Sequence, residues 1–149
     1  MMQGVETVLR TQCCVLSRVS PLSPESSALS TYPGYWTIGW GHLCPPDHPP
    51  VTEAQAESYL AADMAAALAA TLRYCPVLLI QPENRLAAIV DFTFNLGAGR
   101  LQTSTLRRRI NQTDWAGARL ELRKWVHGGG RVLPGLVARR QAEIALMGQ

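Results

Sequence analysis

The amino-acid sequence predicts an α+β protein that is mainly helical, with a small amount of β structure near its start. Three observations carry this prediction. A β-forming run broken by glycines covers residues 32–43, an alanine-rich run covers residues 53–72, and apolar residues recur every three or four positions after Pro82. β-branched and aromatic residues favour strands, alanine favours helix, and a spacing of three to four residues is the period of an amphipathic helix.

The composition indicates one domain, 1–149, with a sizeable core. Of the 149 residues, 47% are hydrophobic, and 14 basic against 11 acidic residues give a net charge of +3. A chain of this length can bury a core in one or two small lobes. The charge is a mild bias towards anionic partners such as cell-wall polymers or nucleic acid. No nucleic-acid-binding motif is present, and we expect no nucleic-acid partner.

The four cysteines and three histidines lack the spacing of a metal site, so no metal is expected. Cys75 is interpreted as a small core residue. No run of about 18 apolar residues could span a membrane, and no secretory signal is visible. These features predict a protein held in the cytoplasm, without membrane insertion.

Residues 1–31 are weakly patterned and form an atypical N-terminal segment. Its last third, with Pro21 and Pro24 among serines, is interpreted as loop. Residues 32–51 follow as a predicted β-hairpin and loop, because Pro33-Gly34 is a turn signal and the β-formers after it are interrupted only by glycines.

Residues 52–72 are predicted to form a long helix that connects two lobes. Thr52 and Gln55 have the spacing of a capping box at its start. Four residues are expected on its core face, namely Tyr59, Ala62, Met64 and Leu68.

Residues 73–149 are predicted to form a helical lobe. Its helices are expected from Pro82 to Gly97 or Gly99, from Thr105 to Ile110 after a Thr103 or Ser104 cap, from a Thr113 or Asp114 cap to Trp125, and from Pro134 to about Met147, with a glycine loop at His127–Gly130.

Five segments together resemble the phage-type lysozymes of glycoside hydrolase family 24. They are WTIGWGH at residues 36–42, FTFNLGAG at 92–99, STL at 104–106, KWVHGGG at 124–130 and GLVARRQAE at 135–143. Their order and spacing agree with the family over residues 32–147. The resemblance implies a lysozyme-like fold and an endolysin that hydrolyses the β-1,4 bond between N-acetylmuramic acid and N-acetylglucosamine in peptidoglycan.

Glycoside hydrolysis generally needs two carboxyl groups, one of which protonates the leaving oxygen. In the family the acid is a Glu, followed nine residues later by an Asp and six residues after that by the Thr of the TIG motif. Counting back from Thr37 without gaps reaches Thr31 and Leu22, which cannot do this chemistry. If the chain lacks three residues of the family pattern between Tyr32 and Gly34, Glu25 becomes a candidate, because it lies seven residues before Tyr32, the family's spacing between its Glu and its Tyr.

Glu25 is therefore the candidate acid, and the gap removes the family's Asp. The alternative interpretation of Glu25 is a solvated loop glutamate. Asp47, just beyond the hairpin, is a possible replacement for the missing Asp. The alternatives for function are a catalytically impaired or vestigial peptidoglycan-binding protein, and single-acid chemistry of the lytic transglycosylase type.

The resemblance implies further roles. Thr37 would position the attacking water, and Leu43, Phe94 and Ser104 would line the saccharide cleft. His42 is interpreted as a structural histidine in an ion pair. No cofactor is implied. The partner is the peptidoglycan glycan strand, the protein is expected to be a monomer, and release to the periplasm and cell wall at lysis would use a holin-like pore.

A second group of charged residues is interpreted as structural. Arg139, Arg140 and Glu143 are expected to pair with one another or with neighbours rather than to contact substrate. Asp91 lies in a core-like helix and is expected to be paired or to serve as a cap.

Overall fold

The structure is a computed structural model that describes residues 30–32 and 35–148, with side chains from Trp36 onward. Among the described residues, three strands come first: β1 (Ser30–Tyr32), β2 (Tyr35–Ile38) and β3 (His42–Cys44). Within the described residues the remaining elements are α1 (Glu53–Tyr74), a 3-10 helix (Pro76–Ile80), α2 (Glu83–Leu96), α3 (Ala98–Thr103), α4 (Thr105–Asn111), α5 (Trp115–Leu122), β4 (His127–Gly128), β5 (Arg131–Val132) and α6 (Pro134–Met147). The predicted α+β, mainly helical fold is confirmed.

The described residues form two compact units that divide within α1. The hairpin unit comprises residues 30–66, with the three-stranded sheet and the first part of α1. The helical unit comprises residues 67–148. The sequence predicts that the helical lobe starts at residue 73, whereas the boundary between the two units lies after Ala66. The sheet also begins at Ser30, within the segment that the sequence pattern marked as atypical.

The start of α1 follows the predicted capping box. The backbone N–H of Thr52 donates to Oε1 of Gln55 at 2.8 Å, and the backbone N–H of Gln55 donates to Oγ1 of Thr52 at 3.3 Å. The two residues thus satisfy N–H groups that the first turn of a helix leaves without partners.

The buried face of α1 differs in part from the prediction. Ala56, Ala67 and Thr71 are buried, and their separations of 11 and 4 residues keep them on one face of a helix with 3.6 residues per turn. Ala62 was expected on the core face and is exposed. It lies six residues after Ala56, which turns its side chain about 120° away around the helix.

The core of the helical unit is built from apolar residues of α2 to α6, together with Leu78 of the 3-10 helix and Cys75 just before it. Its fully buried members are Cys75, Leu78, Ala88, Ile89, Phe92, Leu101, Leu106, Ile110, Ala118, Leu122 and Met147. Cys75 is a core residue as predicted, and burial raises the pKa of its thiol to about 12.

Three boundaries in the helical unit differ from the sequence interpretation. Gly97 ends α2 with φ +88°, but Gly99 lies inside the short helix α3, where burial of Leu101 favours a further turn. Helix α5 ends at Leu122 instead of Trp125. The predicted glycine loop is a hairpin of two-residue strands, which are too short to produce a hydrophobic period.

The described helices include none that is both long and apolar enough to cross a bilayer.

Candidate active site

Thr37 lies on the central strand of the three-stranded sheet. Strand β2 pairs antiparallel with both neighbours, so that Thr37 is opposite Ser30 on β1 and Leu43 on β3. Directly opposed residues lie on the same face of a sheet. Thr37 and Leu43, two residues singled out from the sequence, therefore share a face, and Leu43 is 61% exposed on it.

The opposite face of the sheet is turned towards α1. Ile38 and His42 are opposed across β2 and β3, and alternation along a strand places them on the face away from Thr37. Ile38 is 2% exposed. Nδ1 of His42 lies 2.9 Å from Oδ2 of Asp63, and its ring stacks on Tyr59 with centroids 4.3 Å apart. His42 thus has the structural contacts that were predicted for it.

Two glycines set the turn between β2 and β3. Gly39 has φ +59°, and a Cβ atom at this position would lie 2.8 Å from Cβ of Ala56 on α1. Gly41 has φ +97°, and its N–H donates to the carbonyl of Ile38 at 3.2 Å. The glycine spacing of the motif is thus needed for a left-handed turn and for close contact between the hairpin and α1.

The β1–β2 hairpin has no position for the aspartate expected in this family. Tyr32 pairs with Tyr35, so the connection consists of residues 33 and 34, which are Pro and Gly. The three strands contain no acidic residue. The acidic residues of the described hairpin unit are Asp47, Glu53, Glu57 and Asp63.

The candidate second carboxylate, Asp47, does not lie on a strand of the sheet that carries Thr37. Asp47 is exposed in the loop after β3, and Asp63 is engaged by His42. Within residues 36–148, no three His, Cys, Asp or Glu side chains converge as a metal site. The candidate acid Glu25 lies outside the described residues.

The other two predicted site residues, Phe94 and Ser104, belong to the helical unit. Phe94 is half-buried on α2. Ser104 is the N-cap of α4: its Oγ accepts from the N–H of Arg107 at 3.0 Å and donates to the carbonyl of Leu101 at 2.8 Å. Because its hydrogen is already donated, Ser104 could meet a saccharide hydroxyl only as an acceptor.

A buried ion cluster joins α2 to α6 in the helical unit. Nη1 of Arg139 donates to Oδ1 of Asp91 at 2.8 Å, and Nη2 of Arg140 donates to Oε1 of Glu143 at 2.6 Å and to Oδ1 of Asn95 at 3.0 Å. All but Asn95 are buried. The structural pairing predicted for these charged residues is confirmed.

Burial shifts the protonation equilibria inside this cluster. Desolvation raises the pKa of Glu143 well above its ordinary value of 4.5, with the Arg140 charge opposing the shift. Desolvation also lowers the pKa of Arg140. Both shifts favour the neutral form of the group, because removing a charge from water is costly.

The raised pKa of Glu143 predicts a pH-dependent stability. A carboxyl that holds its proton more tightly in the folded state contributes stability below its unfolded pKa and loses it as pH rises through the folded pKa. We expect the free energy of unfolding of the parent to fall, relative to a Glu143→Gln variant, as pH rises above 4.5. Urea titrations at several pH values measure this, and parallel profiles would contradict it.

Comparisons with known proteins agree on one family. A family model described as Phage lysozyme matches residues 23–143. The endolysin of Acyrthosiphon pisum secondary endosymbiont phage 1 is 41% identical over 118 residues, covering 76% of this chain and 80% of that protein. The SAR-endolysin of Bacteriophage PS34 is 38% identical over 120 residues, covering 78% of this chain and 71% of that protein.

A solved structure supports the same relationship. The muramidase domain of SpmX from Asticaccaulis excentricus has a TM-score of 0.71 with this chain at 26% identity, covering 93% of this chain and 95% of that one.

Proposed function

The chain belongs to the phage lysozyme family and is a peptidoglycan-hydrolysing endolysin, and from that premise we propose that it is a muramidase acting on the β-1,4 bond between N-acetylmuramic acid and N-acetylglucosamine. The observation that carries this proposal is the family match over residues 23–143, which includes the whole Thr37 hairpin. Since the relatives are named endolysins and muramidases, hydrolysis is favoured over an impaired binding protein.

In the proposed reaction Glu25 protonates the oxygen that leaves as the glycosidic bond breaks. Thr37 holds a water molecule through its hydroxyl, on the face of the sheet that carries the exposed Leu43. The water attacks the sugar carbon, and its proton is lost to solvent or to a second base. The products are two glycan ends that each gain one hydroxyl, one from the attacking water and one from the protonated leaving oxygen.

Leu43, Phe94 and Ser104 are the proposed saccharide contacts. Leu43 offers an exposed apolar side chain, which suits the apolar face of a sugar ring. Phe94 is half-buried. Ser104 is buried, and because its Oγ already donates to Leu101 and accepts from Arg107, it would offer the saccharide only its remaining lone pair. We infer that the substrate is the glycan strand of peptidoglycan, bound by a monomer without a cofactor.

We place the action of the enzyme in the periplasm at lysis, in keeping with relatives that are named SAR-endolysins. We also propose that the enzyme leaves the host cytoplasm through a holin-type pore.

The Thr37→Ala variant is expected to lower kcat by roughly 100-fold, because misplacing the reacting water by about 1 Å has an effect of that order. KM should change little, since Thr37 acts on the water rather than on the sugar. Turnover of purified peptidoglycan measures both constants. Thr37→Ser keeps the hydroxyl and is the matched control; equal losses in the two variants would remove Thr37 from the mechanism.

A second reaction is favoured by one specific observation, the absence of an acidic residue from the β1–β2 hairpin. With Glu25 as a single acid and base, the C6 hydroxyl of the muramyl sugar can replace water as the attacking group. The muramyl product then closes to a 1,6-anhydro ring and contains one water fewer. Mass spectrometry of the released muropeptides separates the two reactions, since hydrolysis adds a water to every cleaved bond.

A further inference from the structure

A surface groove of about 220 Å³ runs along α4 and is lined by residues that the proposed reaction does not use. The lining side chains are Thr105, Arg108, Arg109 and Gln112. The last three follow Thr105 by three, four and seven residues, which places all four side chains on one side of the helix. All four side chains carry hydrogen-bond donors, and none of the four is acidic.

The two arginines of the groove are held in place by neighbouring oxygens. Nη1 of Arg109 lies 2.9 Å from Oδ2 of Asp114, whose Oδ1 accepts the N–H of Gly117 at the start of α5. Nη2 of Arg108 donates to Oγ1 of Thr105 at 3.2 Å. A guanidinium has five N–H donors, more than these contacts use, so each arginine is oriented and still able to bind.

The charge around the groove is positive. Helix α4 carries three arginines and no acidic residue. Asp114 neutralises one of them, which leaves a net charge of +2 from three minus one. A cavity of roughly 150 Å³ holds a benzene molecule, so this groove has room for a small anionic group.

We propose that this groove binds a phosphate group. Two arginines, one hydroxyl and one side-chain amide present more N–H and O–H donors than the two oxygens of a planar carboxylate can accept. A tetrahedral phosphate has three or four oxygens and up to two negative charges, and arginine forks match phosphate geometry. The phosphate can belong to a lipid headgroup or to a soluble molecule.

The proposal is tested by titrating the full-length, ¹⁵N-labelled protein with inorganic phosphate and following the side-chain signals of Gln112 and the arginines. Arg108→Gln is expected to weaken binding about tenfold or more, since charge-assisted hydrogen bonds are the strong ones. Arg108→Lys keeps the charge but loses the forked guanidinium, so its affinity for phosphate should lie between those of the parent and Arg108→Gln. Arg131→Gln, an exposed arginine of β5 outside the groove, is the charge-matched control and should bind like the parent.

Two results would overturn the proposal: equal weakening by Arg108→Gln and Arg131→Gln, or acetate that competes as well as phosphate at equal ionic strength. Binding to lipid vesicles then distinguishes a phosphate carried by a lipid headgroup from one carried by a soluble molecule. Binding to phosphatidylglycerol but not phosphatidylcholine vesicles, lost in Arg108→Gln, identifies a lipid headgroup. Phosphate binding without vesicle binding identifies a soluble phosphate ligand. Neither measurement needs turnover, so failure here leaves the muramidase proposal unaffected.

Discussion

Replacing Glu25 with Gln is expected to abolish clearing of permeabilised Gram-negative cells. Glutamine cannot donate the proton that the leaving oxygen needs, and loss of a general acid commonly lowers the rate by about 10²–10⁴-fold. The loss of clearing rate should be larger in this variant than in variants of other acidic residues, because Glu25 and Glu6 are the only acidic residues before the hairpin. Turbidity loss with purified protein, corrected for folded fraction, gives the rate.

The control for this experiment is Glu6→Gln, which removes the other acidic residue of the same segment. It should clear cells like the parent. Asp47→Asn tests the candidate second carboxylate and is expected to leave most activity, because Asp47 is exposed in a loop. Clearing by Glu25→Gln would show that the acid has been misassigned. A folded parent that clears no cells would instead support the vestigial alternative.

Replacing Arg140 with Met is expected to lower the free energy of unfolding by about 3–5 kcal/mol, as is typical when one partner of a buried ion pair is removed. Arg140 is 1% exposed and Glu143 fully buried. The change removes the 2.6 Å contact to Glu143, the 3.0 Å bond to Asn95 and the cation–π contact over Phe92. For a domain of about 150 residues this corresponds to a fall in Tm of roughly 10 °C.

A surface ion pair provides the matched comparison. Nζ of Lys124, two residues after the end of α5, lies 2.7 Å from Oε1 of Glu121 on that helix. The Lys124 side chain is 67% exposed. Lys124→Met should lower stability by no more than about 1 kcal/mol, because exposed pairs contribute little. The double variant Arg140→Met/Glu143→Met should recover part of the loss, since neither buried polar group of the pair is left without the other. Equal effects of Arg140→Met and Lys124→Met in urea titrations would contradict the role assigned to the cluster.

The parts of the fold that the sequence predicted are those specified by local chemistry. The capping box at Thr52 and Gln55, the cap by Ser104 and the final helix from Pro134 to Met147 were all found as expected. Each depends on residues within a few positions of one another. The buried face of α1 was less predictable, because alanine is compatible with either side of a helix and only the packing of its neighbours selects one.

The sequence by itself determined the family, the hairpin with its glycines and the pairing of the charged residues of α6, because these are encoded in motif spacing. Only the tertiary structure decided the rest. It set the strand register that leaves two residues for the β1–β2 connection and places Thr37 opposite the exposed Leu43. It also brought Asp91 beside Arg139 across 48 positions of sequence. Such relations depend on strand register and helix packing, which join residues distant along the chain and leave no local pattern.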